Sequence, residues 1–246
     1  MDVFLNILKI LLYIILAVLA LCVIYVLFIW IVSLFTDSTK PITKQNNFVR
    51  HGITTMFWIA CTVCGARVHV SGKELLPKDE CFELVCNHRS GFDPLCFMSA
   101  MPEINIAFIA KPSIMKIPVV GRVAYAAGGL SIDRENDRNA LKTILTAAGY
   151  IKNGVCSIGI FPEGTRSRTL EMLPFHAGSF KIAQKAGAPL VIAATHGTEN
   201  IKGNFFKRPK DVYIDILEVV PAETLKEMKT QEISDYARNL ICEKLS

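Results

Sequence analysis

The chain has 246 residues, 51% of them hydrophobic, and a formal net charge of +5 at pH 7. This length accommodates one domain of ordinary size plus a membrane anchor, and a mean hydropathy of +0.36 argues against an ordinary soluble protein. Residues 1–39 have a net charge of −1 and the rest of the chain +6. A basic body suits anionic lipid headgroups or phosphorylated substrates, although a charge surplus that only aids solubility would give the same number.

The hydrophobic excess lies at the start of the chain. Ile10 to Val32 is a run of 23 residues without a charged residue, Asn, Gln, Gly or Pro. It is long enough to cross a hydrocarbon core of ~30 Å at ~1.5 Å per residue. Because it is too long for the apolar part of a typical signal peptide, we predict an uncleaved membrane anchor over residues 10–35.

The charges around this run predict its orientation. Only Lys9 precedes it, whereas Lys40, Lys44 and Arg50 follow closely. Positively charged flanks favour the cytoplasmic side, so we expect the body to face the cytoplasm from a cell inner membrane. A second apolar segment, residues 48–64, is shorter and more polar. We predict an interfacial helix packed beside the first there, with a second membrane span as the alternative.

From Ala66 onwards, short apolar runs alternate with helical patterns. Residues 67–70, 82–86, 106–109, 156–161, 190–194 and 212–219 read as strands. A helix is predicted over 139–152, with Asp137 as its cap and Asn153-Gly154 at its end, and another over about 233–245. The pattern predicts membrane-anchoring helices over residues 1–64, then a single α/β domain over residues 65–246 with a mostly covered central sheet.

A polar loop follows the strand predicted at 82–86. His88 and Asp93 are five residues apart, which would put them about 140° apart on a continuous helix, where they could not pair. Asp93-Pro94 is instead a helix-start signal with Asp93 as N-cap. A turn that ends there can fold the carboxylate back onto the imidazole and leave the other ring nitrogen free as a general base. A histidine in an ordinary polar turn is the alternative.

Two further loops at predicted strand ends contain arginines. Arg134 follows residues 128–132, and Arg166 follows residues 156–161 with Gly164 between them. The planar guanidinium can donate two parallel hydrogen bonds to a phosphate, and glycine lets backbone N–H groups approach an anion. Taken alone, each loop could be explained by ion pairs, of Arg134 with Glu135 or Asp137 and of Glu163 with Arg166. Together, at the strand ends of one α/β domain, they predict a functional site.

These loops resemble two sequence blocks of the glycerolipid acyltransferases. Residues 87–93 read Asn-His-Arg-Ser-Gly-Phe-Asp, which is similar to the His-x4-Asp block, and residues 161–167 read Phe-Pro-Glu-Gly-Thr-Arg-Ser, which is similar to the phosphate-site block. The blocks occur in the family's order, and the resemblance covers roughly residues 66–197. The chain is most similar to the compact, membrane-anchored bacterial 1-acyl-sn-glycerol-3-phosphate acyltransferases.

The resemblance implies a function and a set of site residues. His88 would be the general base and Asp93 its orienting partner, and the substrate-binding residues would be Arg89, Ser90, Arg134, Glu163, Gly164, Thr165 and Arg166, the last five at the acceptor phosphate. A fatty acyl group would pass from an acyl-CoA or acyl carrier protein thioester to the sn-2 hydroxyl of lysophosphatidate. Membrane lipids and these substrates would be the partners, with no metal, no bound cofactor and no nucleic acid.

The chain departs from the family pattern at two places. Ser131 stands where the second block usually has an aromatic residue, and the fourth block has Pro189 but lacks its usual second proline. Acyl transfer to another lysolipid is therefore an alternative, and a membrane-tethered protein that binds anionic lipid without catalysis is a second one. The eight scattered cysteines are expected to be reduced, mostly buried thiols rather than zinc ligands.

Overall fold

The structure, a computed structural model, describes residues 2–167, 169, 171–201 and 209–246. The helices are α1 (Asp2–Ser33), α2 (Asn47–Val63), α3 (Asp93–Ala100), α4 (Pro112–Met115), α5 (Val120–Ala126), α6 (Asp137–Lys152), α7 (Lys181–Ala186), α8 (Ala222–Glu227) and α9 (Thr230–Leu245). The strands are β1 (Ala66–Ser71), β2 (Glu83–Cys86), β3 (Ile106–Ala110), β4 (Leu130–Ser131), β5 (Ser157–Ile160), β6 (Leu190–His196) and β7 (Lys210–Val220).

The described strands form one sheet in the order β1-β7-β6-β2-β5-β3-β4. Neighbouring strands are parallel except β6 and β7, which are antiparallel. Side chains of α6, α7 and α9 pack on one face of the sheet, and those of α2, α3 and α5 pack on the other. Since both faces are covered, the apolar runs of β2 and β5 are buried throughout. The predicted α/β fold with a mostly covered sheet is confirmed.

This topology brings four loops to one edge of the sheet. Strands β2, β3, β4 and β5 are mutually parallel, so their carboxyl ends point the same way. The residues that follow them are His88 after β2, Lys111 after β3, Arg134 after β4 and Glu163 after β5. Loops at the carboxyl ends of parallel strands are where α/β proteins place their sites.

Helix α1 is continuous and almost wholly outside the hydrophobic core. Its stretch Val3–Ser33 is long and apolar enough to cross a membrane, and 6% of its most apolar window is buried. The helix starts earlier than the predicted span and ends at Ser33. Near that end Ile29 packs directly on Gly52 of α2, where a Cβ would collide with it. The close approach joins α1 to α2.

Helix α2 contacts both α1 and the α/β domain. Its inner side, including Val49, Ile53 and Cys61, belongs to the hydrophobic cluster that covers one face of the sheet. Phe48 and Trp58 are exposed. Within the described residues α1 alone is long and apolar enough to span a membrane, and α2 packs along α3 instead.

The segment between α1 and α2, residues 34–46, is here called the connector. Nη2 of Arg122 donates to the carbonyl oxygens of Leu34 and Thr36 at 2.9 and 2.5 Å, and the N–H of Ile42 donates to the Tyr150 hydroxyl at 3.0 Å. Nε2 of Gln45 adds a bond to a carbonyl at the end of α5 at 2.6 Å. These bonds fasten the connector to α5 and α6.

The predicted cap of α6 is wrong. Asp137 is the first residue of α6, and the neighbouring Asn136 is the cap, since its side-chain oxygen accepts the N–H of Asn139 at 3.1 Å. Asn and Asp are equally good caps, so the residue types did not distinguish the two positions. At the other end Asn153 is the C-cap and Gly154 adopts a φ of +66°, as predicted.

Candidate active site

The imidazole of His88 is hydrogen-bonded to the carboxylate of Asp93. Nδ1 of His88 lies 2.7 Å from Oδ2 of Asp93, with 18% of the His88 side chain and 1% of the Asp93 side chain exposed. The turn at residues 89–92 makes this contact possible by reversing the chain before α3 begins. Since a carboxylate accepts hydrogen bonds, Nδ1 donates. Nε2 has no hydrogen-bond partner among the described residues, which leaves a lone pair available to a ligand.

Asp93 is not the helix N-cap that the sequence predicted. It is the first residue of α3, and Phe92 occupies the cap position. Its Oδ2 also accepts the N–H groups of Arg89 and Ser90 at 2.8 and 2.9 Å, while Oδ1 accepts the hydroxyl of Thr198 at 2.5 Å. The carboxylate therefore points back into the loop. These three donors and Nδ1 of His88 together fix its orientation.

The loop after β5 holds His88 from the other side. Oε1 of Glu163 accepts the N–H of His88 at 2.6 Å, and the N–H of Ser167 donates to the carbonyl oxygen of His88 at 3.0 Å. The ring of Phe161 stacks on the imidazole with centroids 4.2 Å apart and planes 16° from parallel. Both backbone polar groups and one ring face of His88 are therefore occupied, so its position is set by three contacts with one loop.

Both carboxylate oxygens of Glu163 are used within the protein. Oε2 accepts the N–H of Leu173 at 2.9 Å, and the residue is 4% exposed. Burial raises the pKa of Glu163 above its ordinary value, and the two N–H groups that it accepts act in the opposite direction. The ion pair of Glu163 with Arg166, which was the alternative explanation of this loop, does not form.

A group of cationic side chains surrounds the exposed part of this loop. The guanidinium of Arg134 lies directly over Gly164, which has a φ of +76° and no room for a Cβ. Nη1 of Arg166 lies 3.9 Å from where a Cβ on Gly91 would be, and Nζ of Lys111 lies 3.5 Å from the Thr165 hydroxyl. Partial burial lowers the pKa of Arg134 from its ordinary value.

Neither arginine is neutralised within the described residues. The predicted alternative for Arg134, an ion pair with Glu135 or Asp137, does not occur, and Arg166 has no carboxylate partner in the same part of the chain. Arg134, Arg166 and Lys111 come from three different loops of the same sheet edge. Unpaired cations gathered around a glycine with a positive φ are suited to an anionic group, and a phosphate matches the geometry of arginine best.

The structure also reveals contributions that the sequence did not predict. Thr198 is fully buried just after β6, and Asn87 exchanges two hydrogen bonds with the backbone of Thr195 at 2.8 and 2.9 Å. Both bring β6 to the His88 loop. Thr198 is 105 residues from Asp93, so only the order of strands in the sheet connects them.

This arrangement defines a class of enzyme. An oriented histidine with one free nitrogen, beside a set of cations at the carboxyl edge of a parallel sheet, suits proton removal from a hydroxyl group on a phosphate-bearing substrate. The acyltransferase family profile matches residues 67–195, which include the His88 and Glu163 loops. The chain belongs to the acyltransferase family.

Individual relatives support this assignment. The 1-acyl-sn-glycerol-3-phosphate acyltransferase of Borreliella burgdorferi is 31% identical over 199 residues, which is 80% of this chain and 77% of that protein. The Escherichia coli protein of the same name is 28% identical over 163 residues, 66% of each chain. The crystal structure of the 1-acyl-sn-glycerophosphate acyltransferase from Thermotoga maritima superposes with a TM-score of 0.70 at 28% identity, covering 89% of this chain and 86% of that one. The resemblance found from the two blocks is confirmed.

Proposed function

We propose that this protein is a 1-acyl-sn-glycerol-3-phosphate O-acyltransferase that makes phosphatidate in phospholipid synthesis. The hydrogen-bonded pair of His88 and Asp93 beside the cations of Arg134 and Arg166 is the observation that carries the proposal. A binding protein would need the cations but not an oriented base. The relatives described above have the same activity in their names.

The reaction follows from the geometry of His88. Its free Nε2 removes the proton from the sn-2 hydroxyl of lysophosphatidate while that oxygen forms a bond to the carbonyl carbon of the acyl thioester. Asp93 accepts the hydrogen bond from Nδ1–H and stabilises the imidazolium that results. The tetrahedral intermediate then collapses with cleavage of the C–S bond, and the imidazolium returns its proton to the departing thiolate. No acyl-enzyme is formed, so no cysteine acts as a nucleophile.

The phosphate of lysophosphatidate is assigned to the cationic group. Arg134 and Arg166 donate paired N–H bonds to its oxygens, Lys111 adds a third charge, and Gly164 and Thr165 allow the loop to approach closely. This placement orients the glycerol so that its sn-2 hydroxyl reaches His88. The fixed position of the hydroxyl contributes to the rate by proximity.

The remaining predicted substrate-binding residues receive a positioning role. Arg89 and Ser90 use their N–H groups to hold Asp93, and Glu163 uses both oxygens to hold the loop backbone. A carboxylate would also repel a phosphate. We therefore assign the acceptor phosphate to Arg134, Gly164, Thr165 and Arg166 without Glu163.

The donor is a thioester of coenzyme A or of acyl carrier protein, and it is a substrate, so the reaction requires no metal or bound cofactor. The protein is held to the membrane by α1, with α2 at the interface. The lysines that follow α1 favour a body on the cytoplasmic side of the inner membrane. Both lipid substrate and lipid product then stay in the bilayer throughout the reaction.

The test is acyl transfer by purified, detergent-solubilised protein from radiolabelled acyl-CoA to lysophosphatidate. His88→Ala is compared with His69→Ala, which removes a half-exposed histidine of β1 that pairs with Asp211. We expect phosphatidate from the wild type and His69→Ala but not from His88→Ala. Turnover that persists in His88→Ala contradicts the mechanism. If all three are inactive, acyl carrier protein thioesters and other lysolipids are tried, and inactivity with every pair overturns the proposed function.

A further inference from the structure

A second pocket lies where the membrane helix meets the domain. It has a volume of about 620 Å³, which is within the range of small-ligand sites. Its walls are formed by the connector, the segment 115–122 around α4 and α5, strand β4 and one side of α6. His88, Asp93 and the cations of the proposed phosphate site do not line it. This pocket is therefore separate from the site already described.

Among the described residues, the lining of the pocket includes basic side chains and no acidic one. Lys40, Lys116, Arg122 and Lys142 contribute four cations from three separate parts of the chain. Within the described residues none of the three lysines pairs with a carboxylate. The nearby carboxylate of Asp37 accepts the N–H and the hydroxyl of Thr39 at 2.9 and 2.7 Å. Such a lining attracts an anion, and the hydroxyl group of Ser38 adds a polar group to it. The hydroxyl groups of Thr143 and Tyr125 already donate to the carbonyl oxygens of Ser131 and Lys40.

The position of the pocket indicates which anion it takes. Its first wall is the connector that follows α1. With α1 inserted in a bilayer, the pocket would lie at the level of the lipid headgroups. Ile117, which lines the pocket, and Ile114 and Val120, which flank the lining residues in sequence, are 43 to 46% exposed. A soluble phosphate would leave this aliphatic surface exposed to water, whereas the acyl chains of a phospholipid would cover it.

We propose that this pocket binds the phosphate headgroup of an anionic membrane phospholipid. Lys40, Lys116 and Lys142 contact the headgroup, and Ile114, Ile117 and Val120 contact the tails. The site needs only that α1 is inserted in the bilayer and does not depend on acyl transfer. It would make attachment of the domain to the membrane selective for anionic lipid.

The full-length protein provides its own optical probe. It has two tryptophans, Trp30 and Trp58, and Trp30 is in the last turn of α1, eight residues before Ser38 of the pocket lining. In a Trp58→Phe background, energy transfer from Trp30 to acyl-chain-labelled dansyl phosphatidylglycerol in neutral detergent micelles reports binding. Dansyl phosphatidylcholine is the comparison lipid, because it has the same tails and no net charge.

The decisive variant is Lys116→Gln with Lys142→Gln. At about 1 kcal/mol per lysine, it should weaken phosphatidylglycerol binding by roughly 30-fold. The matched control, Lys185→Gln with Lys226→Gln, changes the net charge equally on exposed residues of α7 and α8. It should stay within about twofold of the parent protein, since neither residue lines the pocket and exposed charges away from a bound anion are screened by salt. Replacing Lys116 and Lys142 by arginine keeps the charge and should preserve binding.

Three outcomes would overturn the proposal. Equal losses in both glutamine pairs would mean that only total charge matters. If phosphatidylcholine binds as tightly as phosphatidylglycerol, the pocket does not recognise the negative charge of the headgroup. Displacement of the labelled lipid by coenzyme A at equal concentration would identify a site for soluble phosphates instead. Thermal unfolding of each variant in the same detergent distinguishes lost binding from lost folding.

Discussion

We expect loss of the Thr198 hydroxyl to lower kcat by one to two orders of magnitude. This hydroxyl donates to Oδ1 of Asp93 at 2.5 Å in a fully buried position. Thr198→Val keeps the shape and removes the donor, which leaves one carboxylate oxygen buried without a partner. A hydrogen bond to a charged group contributes about 1.5–3 kcal/mol. If that is lost when the imidazolium forms, kcat falls by about 10- to 150-fold.

The assay is steady-state acyl transfer with each substrate varied in turn. KM for lysophosphatidate and for the thioester should stay unchanged, because Thr198 touches Asp93 and neither substrate, and Thr198→Ser should restore kcat. The neighbouring Thr195 is a matched control, since it is also buried and its hydroxyl has no partner among the described residues. Thr195→Val should keep wild-type kcat. A Thr198→Val enzyme with wild-type kcat would refute the positioning argument.

Three further predictions test other parts of the site and the core. Glu163→Gln has one acceptor oxygen in place of two, so it cannot accept the N–H groups of His88 and Leu173 with separate oxygens. The free energy of unfolding should therefore fall by about 1.5–3 kcal/mol, and kcat should fall with it. A raised KM for lysophosphatidate alone would instead place Glu163 in the phosphate site. Arg166→Ala should raise KM for lysophosphatidate by about 10- to 100-fold without affecting transfer to a 1-acylglycerol that lacks the phosphate; equal effects on both acceptors would contradict its assignment. Burial raises the pKa of Glu83 to about 8, so the folded state binds this proton more tightly than the unfolded state does. Stability should therefore be lost as pH rises from about 4.3 to about 8, by at most about 1.4 kcal/mol per pH unit. Glu83→Gln keeps an acceptor for the N–H of Ala183 and should flatten that dependence in denaturant titrations at several pH values, whereas parallel curves for both proteins would contradict it.

The elements and the site loops were predictable because they depend on local patterns. The strands begin and end within a few residues of the predicted runs, since a strand covered on both faces is a short apolar run. The contact of His88 with Asp93 followed from their spacing and the turn between them. Gly164 also had a local signal, a glycine between a buried strand and an arginine.

Other features depend on which strands are neighbours, and the chain order does not determine that. Thr198 reaches Asp93 only because β6 lies beside β2. Phe161 stacks on His88 because β5 lies on the other side of β2. The inward direction of Glu163 also escaped prediction, because a carboxylate in a loop can serve a ligand or the backbone equally well. Here the backbone N–H groups of His88 and Leu173 were the nearer partners.

The fastened connector links α1 to the catalytic domain. Arg122, Tyr150 and Gln45 hold it through hydrogen bonds, and Ile29 of α1 packs on Gly52 of α2. With α1 inserted in a bilayer, these contacts would keep His88 close to the membrane surface. The search for a lipid substrate would then be mainly a lateral one.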